Sequence, residues 1–482
     1  MNQLTQQRRR NLEELRKLGI EPYPYSYSKN TNAEDIQNLK LKKEEKSKKQ
    51  VSLAGRIITL RPMGKATFGH LQDQTGKVQF YFREDQVKNY NLLKKFDIGD
   101  FIGIKGNPFK TKRGENSVWV KEFTLLSKSL SPLPEKWHGL KDIETRYRQR
   151  YVDLIVNQEV KKTFILRTRI IEAVRDFMQK NGFIEVETPI LQPTYGGANA
   201  RPFKTRINAW DIDMYLSISP ELYLKRLIVG GFEKVYTICK NFRNEGVDKT
   251  HNPEFTMLES YAAYWDYEDV MKFTEEMYEY IAKKVLGTTN INYQGIKIDL
   301  KKPWKKLTML EAIKKYLEVD ITKFNDKELK QELKERNLEF YNYSRDLAIE
   351  LLFSLIEPKL IQPIFITDHP KESTPLCKLK RGDHDLIERF EPFINGWEMG
   401  NAYSELNDPL QQKQLLEEQE IKGRGGDEEY HPMDEDFIRS LEIGMPPTGG
   451  LGLGIDRMVM LMTNAKTIRD VILFPTMRPE NK

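Results

Sequence analysis

The chain begins with a helical spacing of apolar residues. Four leucines recur at intervals that share one helix face, at Leu4, Leu12, Leu15 and Leu18. They predict a basic amphipathic helix over 4–19 that Gly19 ends. A lysine-rich segment, LKLKKEEKSKKQ, then completes a first region of 1–50. This segment is interpreted as a solvated helix or linker. Weak electrostatic binding of nucleic acid is the alternative interpretation.

The pattern becomes typical of β-structure from Val51 onward. Five short runs follow one another, VSLAGRIITL, TFGHLQDQ, GKVQFYF, DFIGIKGNPF and SVWVKEFTLL. The tripeptide 74–76, Gln-Thr-Gly, predicts a hairpin between the second and third runs, and a helical stretch over 86–95 follows the third. Five strands with one interposed helix predict an all-β OB-fold barrel over 51–130.

Alternation within this region predicts two different faces. Three apolar residues share one face, namely Val78, Phe80 and Phe82. Gln79 and Tyr81 point the other way, and the preceding run offers Phe68 and His70. Such a surface is either an ordinary half-covered sheet face or a platform on which unstacked bases stack and are read at their edges.

A proline-containing connector over 131–150 leads into a larger region of 151–482. A long amphipathic helix is predicted over 161–183, ended by Asn181-Gly182, and IEVETPIL then predicts a strand. Further strand-like and helical runs follow without strict alternation. This order predicts an α+β fold with an antiparallel sheet.

Two later segments of this region have patterns of their own. Residues over about 266–356 are largely helical and charged, and they are interpreted as including an inserted helical unit. Near the end, GGLGLG predicts a glycine-rich turn that enters a helix.

Composition narrows the possible classes only a little. The 482 residues include 77 basic and 71 acidic side chains, and the resulting net charge of +6 is too small to indicate nucleic-acid binding by itself. The two cysteines, Cys239 and Cys377, form no paired motif, so neither a disulfide scaffold nor a cysteine-based zinc site is expected. No run approaches the ~18 apolar residues of a membrane span, and no signal-like segment is seen. We therefore expect a cytoplasmic protein with no membrane partner.

Several familiar catalytic motifs are missing from the sequence. The P-loop, the dinucleotide G-x-G-x-x-G, the zinc H-E-x-x-H and the G-x-S-x-G elbow do not occur. Three other pieces occur in order: GFIEVETP, ending at Pro189; FRNE, followed by HNPEF; and GLGLGIDR, ending at Arg457. Together they resemble motifs 1, 2 and 3 of the class II aminoacyl-tRNA synthetases.

The resemblance narrows when longer stretches are compared. GGANARPF, MYLSISPELYLKRLIVGGFEKVY, FRNEGVDKTHNPEFTMLESY, GNAYSELNDP and PPTGGLGLGIDRMVMLMTN look like class II lysyl-tRNA synthetases over essentially residues 10–480. The resemblance implies a class II antiparallel sheet behind an anticodon-binding barrel. It also implies a homodimer that activates L-lysine with ATP to lysyl-adenylate and transfers the lysyl group to tRNA(Lys), releasing AMP and pyrophosphate.

The family's ATP-binding residues correspond to nine positions here: Arg243, Glu245, His251, Asn252, Phe255, Glu391, Glu398, Gly454 and Arg457. Arg243 and Arg457 are the implied catalytic residues, since a guanidinium can fork onto phosphate oxygens. Glu391 and Glu398 match the family's Mg²⁺ ligands. They lie seven residues apart, so on one continuous strand they would face opposite ways, and we expect a bend near Asn395-Gly396.

The implied lysine pocket contains seven residues: Gly197, Glu221, Glu259, Tyr261, Asn401, Tyr403 and Glu405. Carboxylates are expected because burying a lysine ammonium is costly unless anions replace its water. Which glutamate holds the ε-ammonium and which the α-ammonium stays open. The anticodon contacts implied on the barrel are Arg61, Phe68, Gln79 and Glu122.

Three alternatives compete with this interpretation. Asparaginyl and aspartyl relatives share the barrel and the motifs, but three pocket glutamates favour a cationic substrate. A lysyltransferase paralogue that modifies elongation factor P lacks the barrel that 51–126 supply here. A non-catalytic protein on a retired scaffold should have lost some of the motif residues, yet all four of the most informative are present: Arg243, Glu391, Glu398 and Arg457.

Overall fold

The computed structural model describes residues 2–134, 140–340, 343–424 and 430–480. Contacts within the chain divide it into two compact units, Met1–Lys141 and Asp142–Lys482. Part of the predicted connector, residues 135–139, lies outside the described residues. Of the helices in the described ranges, none combines the length and apolar character needed to cross a membrane.

The first unit is built on a closed five-stranded barrel with strand order β1-β2-β3-β5-β4. Its strands are β1 (Val51–Met63), β2 (Ala66–Gln72), β3 (Lys77–Arg83), β4 (Phe101–Lys110) and β5 (Asn116–Ser127). Two α-helices precede them, α1 (Gln3–Lys17) and α2 (Ala33–Gln37). A 3-10 helix, Tyr90–Lys95, lies between β3 and β4, where the sequence predicts a helical stretch. The predicted OB-fold is confirmed.

The predicted faces of β3 are also confirmed. Val78, Phe80 and Phe82 are completely buried in the barrel core. In contrast, the predicted apolar face of the N-terminal helix is only partly buried: Leu12 and Leu15 are buried, whereas Leu4 is 59% exposed and Leu18, just after the helix, is 62% exposed. Arg8 anchors the helix instead, since its Nη2 donates to the carbonyl of Ile98 at 2.9 Å.

The second unit has a ten-stranded mixed sheet, largely antiparallel, whose main path is β14-β15-β17-β19-β20-β11-β10-β6. The strands of this unit are β6 (Ile184–Glu185), β7 (Leu191–Gln192), β8 (Lys204–Ile207), β9 (Ile212–Leu216), β10 (Lys234–Phe242), β11 (Glu254–Ala263), β12 (Asn290–Tyr293), β13 (Ile296–Asp299), β14 (Lys305–Thr308), β15 (Ile364–Pro370), β16 (Leu379–Lys380), β17 (Asp383–Ile394), β18 (Trp397–Glu398), β19 (Gly400–Ser404) and β20 (Thr448–Gly454). Both β16 and β18 pair with β17, while β7, β9 and β8 form a small sheet and β12 pairs with β13.

The α-helices of this unit are α3 (Ile143–Arg148), α4 (Arg150–Val156), α5 (Gln158–Lys180), α6 (Glu221–Val229), α7 (Tyr267–Leu286), α8 (Met309–Leu317), α9 (Asp326–Glu335), α10 (Arg345–Ser354), α11 (Pro409–Arg424), α12 (Glu435–Ile443), α13 (Ile455–Thr463) and α14 (Ile468–Val471). Helices α5, α7 and α13 pack with the sheet in the largest apolar core. Helices α8, α9 and α10 share a separate apolar cluster that also reaches β15 and β17. The interval 266–356, which is predicted from the sequence to include an inserted helical unit, therefore has two parts. Helix α7 belongs to the main core, whereas α8, α9 and α10 form the separate cluster.

Two sequence expectations differ from the observed fold. The predicted strand in IEVETPIL is reduced to β6 and β7, because β6 pairs only with β10 and the chain leaves the sheet before Pro189. The segment predicted as a glycine-rich turn is the strand β20, which pairs with β11 and β19 and runs directly into α13. Hydrogen bonding to two neighbouring strands holds these glycines extended despite their poor strand propensity.

Candidate active site

One cavity of about 330 Å³ lies in the second unit, bounded by β11, β17, β19 and β20. Its lining includes all nine residues predicted for ATP and all seven predicted for lysine. Its size falls within the ~300–1,000 Å³ range of ligand pockets. Residues separated by more than 250 positions, such as Gly197 and Arg457, are thus brought to one site.

Strand β11 crosses this cavity with alternate side chains facing it. Phe255, Glu259 and Tyr261 occupy odd positions of the strand and line the cavity. With a rise of ~3.3 Å per residue, Phe255 and Glu259 lie roughly 13 Å apart along the strand. The two ends of the cavity are therefore held at a fixed separation by one rigid element.

Arg243 lies just after β10, at the aromatic end of the cavity. Its backbone N–H donates to the carbonyl of Pro253 at 2.9 Å, and its guanidinium carbon lies 5.2 Å from the centre of the Phe255 ring. Its Nε is buried and has no hydrogen-bond partner among the described residues. A buried N–H without a partner is costly, and an anionic ligand would satisfy it.

The loop between β10 and β11 contains an Asp–His–Arg contact. His251 Nδ1 lies 2.8 Å from Asp248 Oδ2, and its Nε2 lies 3.1 Å from Arg457 Nη2. Although partial burial opposes it, hydrogen bonds from Thr250 and His251 lower the pKa of Asp248 to about 2. The anionic Asp248 can thus orient the imidazole toward Arg457.

The other two predicted loop residues behave differently. Asn252 is buried, and its amide donates to the carbonyl of Glu254 at 2.6 Å while accepting from the Thr476 N–H at 3.3 Å. Asn252 therefore shapes the loop as well as lining the cavity. Glu245 is exposed at the cavity edge.

The predicted bend between Glu391 and Glu398 is confirmed. Asn395 and Gly396 both have positive φ, at 56° and 72°, and they join β17 to β18 as a tight turn. Glu398 is paired with Phe393, and Phe393 shares a face of β17 with Glu391. Both carboxylates consequently face the cavity.

The carboxylates of Glu391 and Glu398 repel each other, and neighbouring arginines offset this repulsion only in part. The side chain of Glu398 is 43% exposed, yet it is recessed in the cavity, and desolvation followed by repulsion from Glu391 raises its pKa. The described residues contain no cluster of three or more metal-ligating side chains. Two carboxylates without a third suit Mg²⁺, which completes its coordination with phosphate oxygens and water.

Sequence reasoning missed Arg389, which is buried beside this pair. Its Nη2 donates to Glu391 Oε1 at 2.5 Å, and its Nε donates to Asn401 Oδ1 at 3.0 Å. Asn401 in turn donates to the Tyr403 hydroxyl at 2.6 Å. The i, i+2 spacing of Arg389 and Glu391 was a usable signal, since it places both on one strand face.

The opposite end of the cavity is acidic. Glu259 accepts from the Ser219 hydroxyl at 3.0 Å and from the Tyr261 hydroxyl at 3.4 Å. Burial, followed by repulsion from Glu221, raises the pKa of Glu259 to about 8. Burial also raises the pKa of Glu405, and the ion pair with Lys225 opposes this shift.

Lys225 is the second residue that the sequence reasoning missed. It is completely enclosed, and its Nζ lies 2.6 Å from Glu221 Oε1 and 2.5 Å from Glu405 Oε2. Spacing of i, i+4 with Glu221 on α6 was the only available sign of this pairing.

Two glycines make room for the acidic end. Gly197 has φ of +84°, and a Cβ there would approach the Ser219 hydroxyl oxygen to 2.8 Å. A Cβ at Gly450 would lie 1.9 Å from Glu405 Oε1. A larger residue at either position would displace the side chains that define the pocket.

A second candidate surface lies on the barrel. Phe68 and Tyr81 are cross-strand partners with ring centres 4.5 Å apart, and Tyr81 also contacts Trp119 at 4.9 Å. Arg61 pairs with Phe68 across β1 and β2 and is exposed. This face therefore combines an aromatic platform with a positive charge.

The polar part of this surface centres on Gln79 and on Glu115, which the sequence reasoning did not single out. Gln79 Nε2 donates to Glu115 Oε2 at 2.8 Å, and His70 Nε2 lies 3.0 Å from Glu115 Oε1. Ser117 of β5 pairs with Gln79 of β3. Glu122 lies further along β5, beyond a bulge in the β4–β5 pairing, where its carboxylate is 3.4 Å from the Lys105 ammonium. The bulge separates Glu122 from the Gln79 cluster.

The sequence was compared with known proteins. Residues 142–478 match the family described as tRNA synthetases class II (D, K and N), and residues 51–126 match the OB-fold nucleic acid binding domain. A lysine–tRNA ligase of a Thermoanaerobacter species is 54% identical over 487 residues, spanning 100% of this chain and 97% of the relative. The lysine–tRNA ligase of Carboxydothermus hydrogenoformans is 51% identical over 497 residues, spanning 100% of this chain and 99% of the relative.

The chain belongs to the class II lysyl-tRNA synthetases. The resemblance seen in the motifs is thereby confirmed, as is the fold expected from it. Lysine carries two ammonium groups and one carboxylate, and three buried glutamates line the acidic end of the cavity. The individual residue roles stay predictions.

The raised pKa of Glu259 predicts a stability gain in Glu259→Gln. The folded chain keeps this proton up to about pH 8, whereas an ordinary exposed glutamate carboxyl loses it near 4.5, so ionisation costs stability as the pH rises between these values. The variant should match the parent near pH 4.5 and exceed its free energy of unfolding by about 2 to 4 kcal/mol at pH 8.

Denaturant unfolding across this pH range measures the effect. Glu254→Gln, an exposed glutamate at the start of the same strand, is the matched control and should change stability little at any pH. A gain for Glu259→Gln that does not grow with pH would contradict the assigned protonation of this carboxyl.

Proposed function

We propose that this chain activates L-lysine with ATP and then transfers the lysyl group to tRNA(Lys). The observation that carries the proposal is a single cavity with a buried three-glutamate end and an arginine-rich end, joined at Arg243. The full-length identity to lysine–tRNA ligases supports it further. Such an enzyme acts where tRNA is charged, which is consistent with the expected cytoplasmic location.

In the first step, a carboxylate oxygen of lysine attacks the α-phosphorus of ATP. A new P–O bond forms, the bond to the β-phosphate bridging oxygen breaks, and pyrophosphate leaves. Arg243 lies beside Phe255 at the aromatic end, and its charge also acts on Glu259 of the acidic end, so its guanidinium can bind the α-phosphate and the lysine carboxylate together. It thereby aligns the reacting atoms and stabilises the charge that develops on the phosphate.

Other residues hold the nucleotide. Phe255 offers a ring face to adenine, and Glu245 can accept from its exocyclic amine. Arg457 and His251 lie within 3.1 Å of each other and can both turn toward the distal phosphates. Gly454, at the start of α13, lets the nucleotide approach the backbone.

Glu391 and Glu398 would hold Mg²⁺ against the phosphates. When bound, the ion neutralises phosphate charge and favours departure of pyrophosphate. Arg389 donates to Glu391 at 2.5 Å and can thereby position this carboxylate. Mutual repulsion of the two carboxylates supports a cation at this position.

In the second step, the terminal ribose hydroxyl of tRNA attacks the carbonyl carbon of lysyl-adenylate. The acyl–phosphate bond breaks and AMP leaves with its oxygen. Nothing in the lining of the cavity is needed as a covalent nucleophile, because the substrates supply both attacking oxygens. The protein contributes orientation and electrostatic stabilisation.

The reaction predicts pyrophosphate–ATP exchange that depends on lysine. A panel of amino acids including arginine, ornithine, aspartate and asparagine should give rates at least about a hundredfold below lysine in kcat/KM. Exchange without a preference for lysine would overturn the assigned specificity, and no exchange with any amino acid would overturn the enzyme assignment.

The same assay locates the specificity in the acidic end. Glu259→Gln should raise the lysine KM by roughly tenfold or more and leave the ATP KM nearly unchanged, because Phe255 and Arg243 are untouched. The exposed Glu254→Gln is again the matched control. Equal losses for both substrates would mean that Glu259 is structural.

We also propose that the barrel face reads the anticodon. Bases can stack on Phe68, while Gln79 and Glu115 offer adjacent hydrogen-bonding groups for a base edge. Arg61 supplies charge for the backbone phosphates. The contact between Gln79 and Glu115 favours Glu115 over Glu122 as the acidic member of this set.

A matched pair of variants tests that preference. Glu115→Gln should raise the KM for tRNA(Lys) in aminoacylation by about tenfold, the cost of one good base-edge contact, while Glu122→Gln should change it by less than about twofold. Lysine-dependent exchange should be unaffected in both variants, because it needs no tRNA. A larger effect at Glu122 would reverse the assignment.

We also propose that the chain forms a homodimer. Exposed apolar side chains cluster in the first motif and the small sheet, at Ile184, Ile190, Leu191, Trp210 and Ile212. Strand β6 is the last strand of its sheet path, so Ile184 lies at an open edge. Surfaces of this kind are typical of protein interfaces.

Sedimentation at micromolar concentration should give twice the chain mass of 56.7 kDa. Ile184→Glu should shift the protein toward monomer, because a carboxylate in an apolar interface has no partner. Ile443→Glu, at an exposed isoleucine at the end of α12 and outside both the first motif and the small sheet, is the control and should stay dimeric. A monomeric parent would contradict the proposal.

A further inference from the structure

An ammonium group of the protein itself lies against two of the glutamates at the amino-acid end of the cavity. Lys225 projects from α6 and is completely enclosed. Its Nζ contacts one oxygen of Glu221 at 2.6 Å and one oxygen of Glu405 at 2.5 Å. Neither step of the reaction needs a proton or a bond from this group.

We propose that Lys225 is a positioning residue that sets the charge of the lysine pocket, cancelling one of its three carboxylates so that two remain for the two ammonium groups of the substrate. The inference deepens the proposed function and rests on it. It concerns the protein's own lysine, which is not itself a substrate-binding group.

The charges of the pocket and of bound lysine balance only when Lys225 is counted. Glu221, Glu259 and Glu405 contribute three negative charges when ionised, and Lys225 reduces the total to two. Bound lysine brings two ammonium groups, and Arg243 is available for its carboxylate. The occupied pocket is then neutral, which is the condition for burying charges at tolerable cost.

The geometry assigns separate oxygens to the resident and the incoming ammonium. The ion pair joins Lys225 to Oε2 of Glu405, while both oxygens of this carboxylate are buried and neither has a hydrogen-bond partner among the described residues. Oε1 is thus free to accept a hydrogen bond. That free oxygen lies beside Gly450 at the cavity wall. Lys225 therefore fixes the carboxylate by one oxygen and leaves the other to accept from a ligand.

The surroundings keep Lys225 as the resident cation of this end of the pocket. The titratable groups that face it or its partner carboxylates are Glu221, Glu259, Glu405, Tyr261, Tyr403, Cys377 and His431. Burial first, and then Lys225 itself, lowers the pKa of His431 to about 4, so this histidine stays neutral at physiological pH. The two carboxylates raise the pKa of Lys225 despite its burial.

Removing the resident charge should couple lysine binding to pH. Without Lys225, the carboxyls of Glu221 and Glu405 face only other acids, and one of them would retain a proton at neutral pH. A protonated carboxyl is a poor partner for a substrate ammonium. Raising the pH would remove the proton and recover part of the affinity.

The test compares K225M with R226M in the full chain by lysine-dependent pyrophosphate–ATP exchange. Arg226 is the next residue on α6 and pairs with Asp434 outside the cavity, so it controls for loss of a neighbouring partly buried ion pair. At about pH 6.5 the lysine KM of K225M should rise by roughly tenfold or more. At about pH 8.5 the increase should shrink to roughly threefold, while the ATP KM stays within about twofold at both values.

A double variant separates charge from packing. K225M/E405Q has two ionisable carboxylates and no resident ammonium, so the net charge of the pocket returns to its native value. Its lysine KM should lose the extra pH dependence of K225M. It should also be at least as stable to heat as K225M, so it provides the measurement if the single variant fails to fold.

The exchange assay distinguishes failure of the proposed function from failure of the role proposed for Lys225. No lysine-dependent exchange by the unmodified chain would overturn the proposed function, and the inference with it. An active parent, with a K225M lysine KM that is unchanged or raised by one factor at every pH, would overturn only the inference. A double variant as pH-sensitive as K225M would do the same, because a charge count could not then explain the effect.

Discussion

The burial of three carboxylates in one cavity is the constraint on which the active site depends. Like charges removed from water repel strongly, and each costs several kcal/mol unless it is paired. The structure reduces this cost only in part, through Lys225, Ser219 and the Tyr261 hydroxyl. The part of this cost that is not offset appears as the raised pKa of Glu259, which keeps its proton up to about pH 8. We expect this carboxyl to lose the proton when a cation binds. In the proposed function, affinity for the two ammonium groups of lysine is obtained at the expense of stability, as is common at functional sites.

The central sheet converts this chemistry into a fixed geometry. Strand β11 carries Phe255 at one end of the cavity and Glu259 at the other, while β19 supplies Asn401 and Tyr403 opposite. Between them, β20 presents glycines, so its backbone lies where side chains would otherwise fill the cavity. We expect room for two substrates in this cavity because the glycines of β20 that line it, Gly450, Gly452 and Gly454, have no side chains to fill it.

The barrel follows the same physical rule on a smaller scale. Alternation along β3 buries Val78, Phe80 and Phe82 and leaves Gln79 and Tyr81 on the outer face. An aromatic cluster on that face is exposed enough to receive bases, and it surrounds hydrogen-bonding groups that are already oriented by Glu115. Recognition groups on a sheet are more rigid than the same groups on a loop, which favours reading of a base edge.

The sequence by itself determined the two fold classes, the long helix ending at Asn181, the barrel faces and the bend before Glu398, because each depends on local periodicity or turn chemistry. The resemblance of its motifs also identified sixteen residues that share one cavity. Only the tertiary structure revealed the partners: Glu405 is 180 positions from Lys225, and no local pattern predicts that pair. A bulge in the β4–β5 pairing likewise separates Glu122 from Gln79, and β20 is a strand only because β11 and β19 bond to both of its edges. Burial, pairing across the sheet and charge balance depend on which distant segments meet, and the folded chain alone decides that.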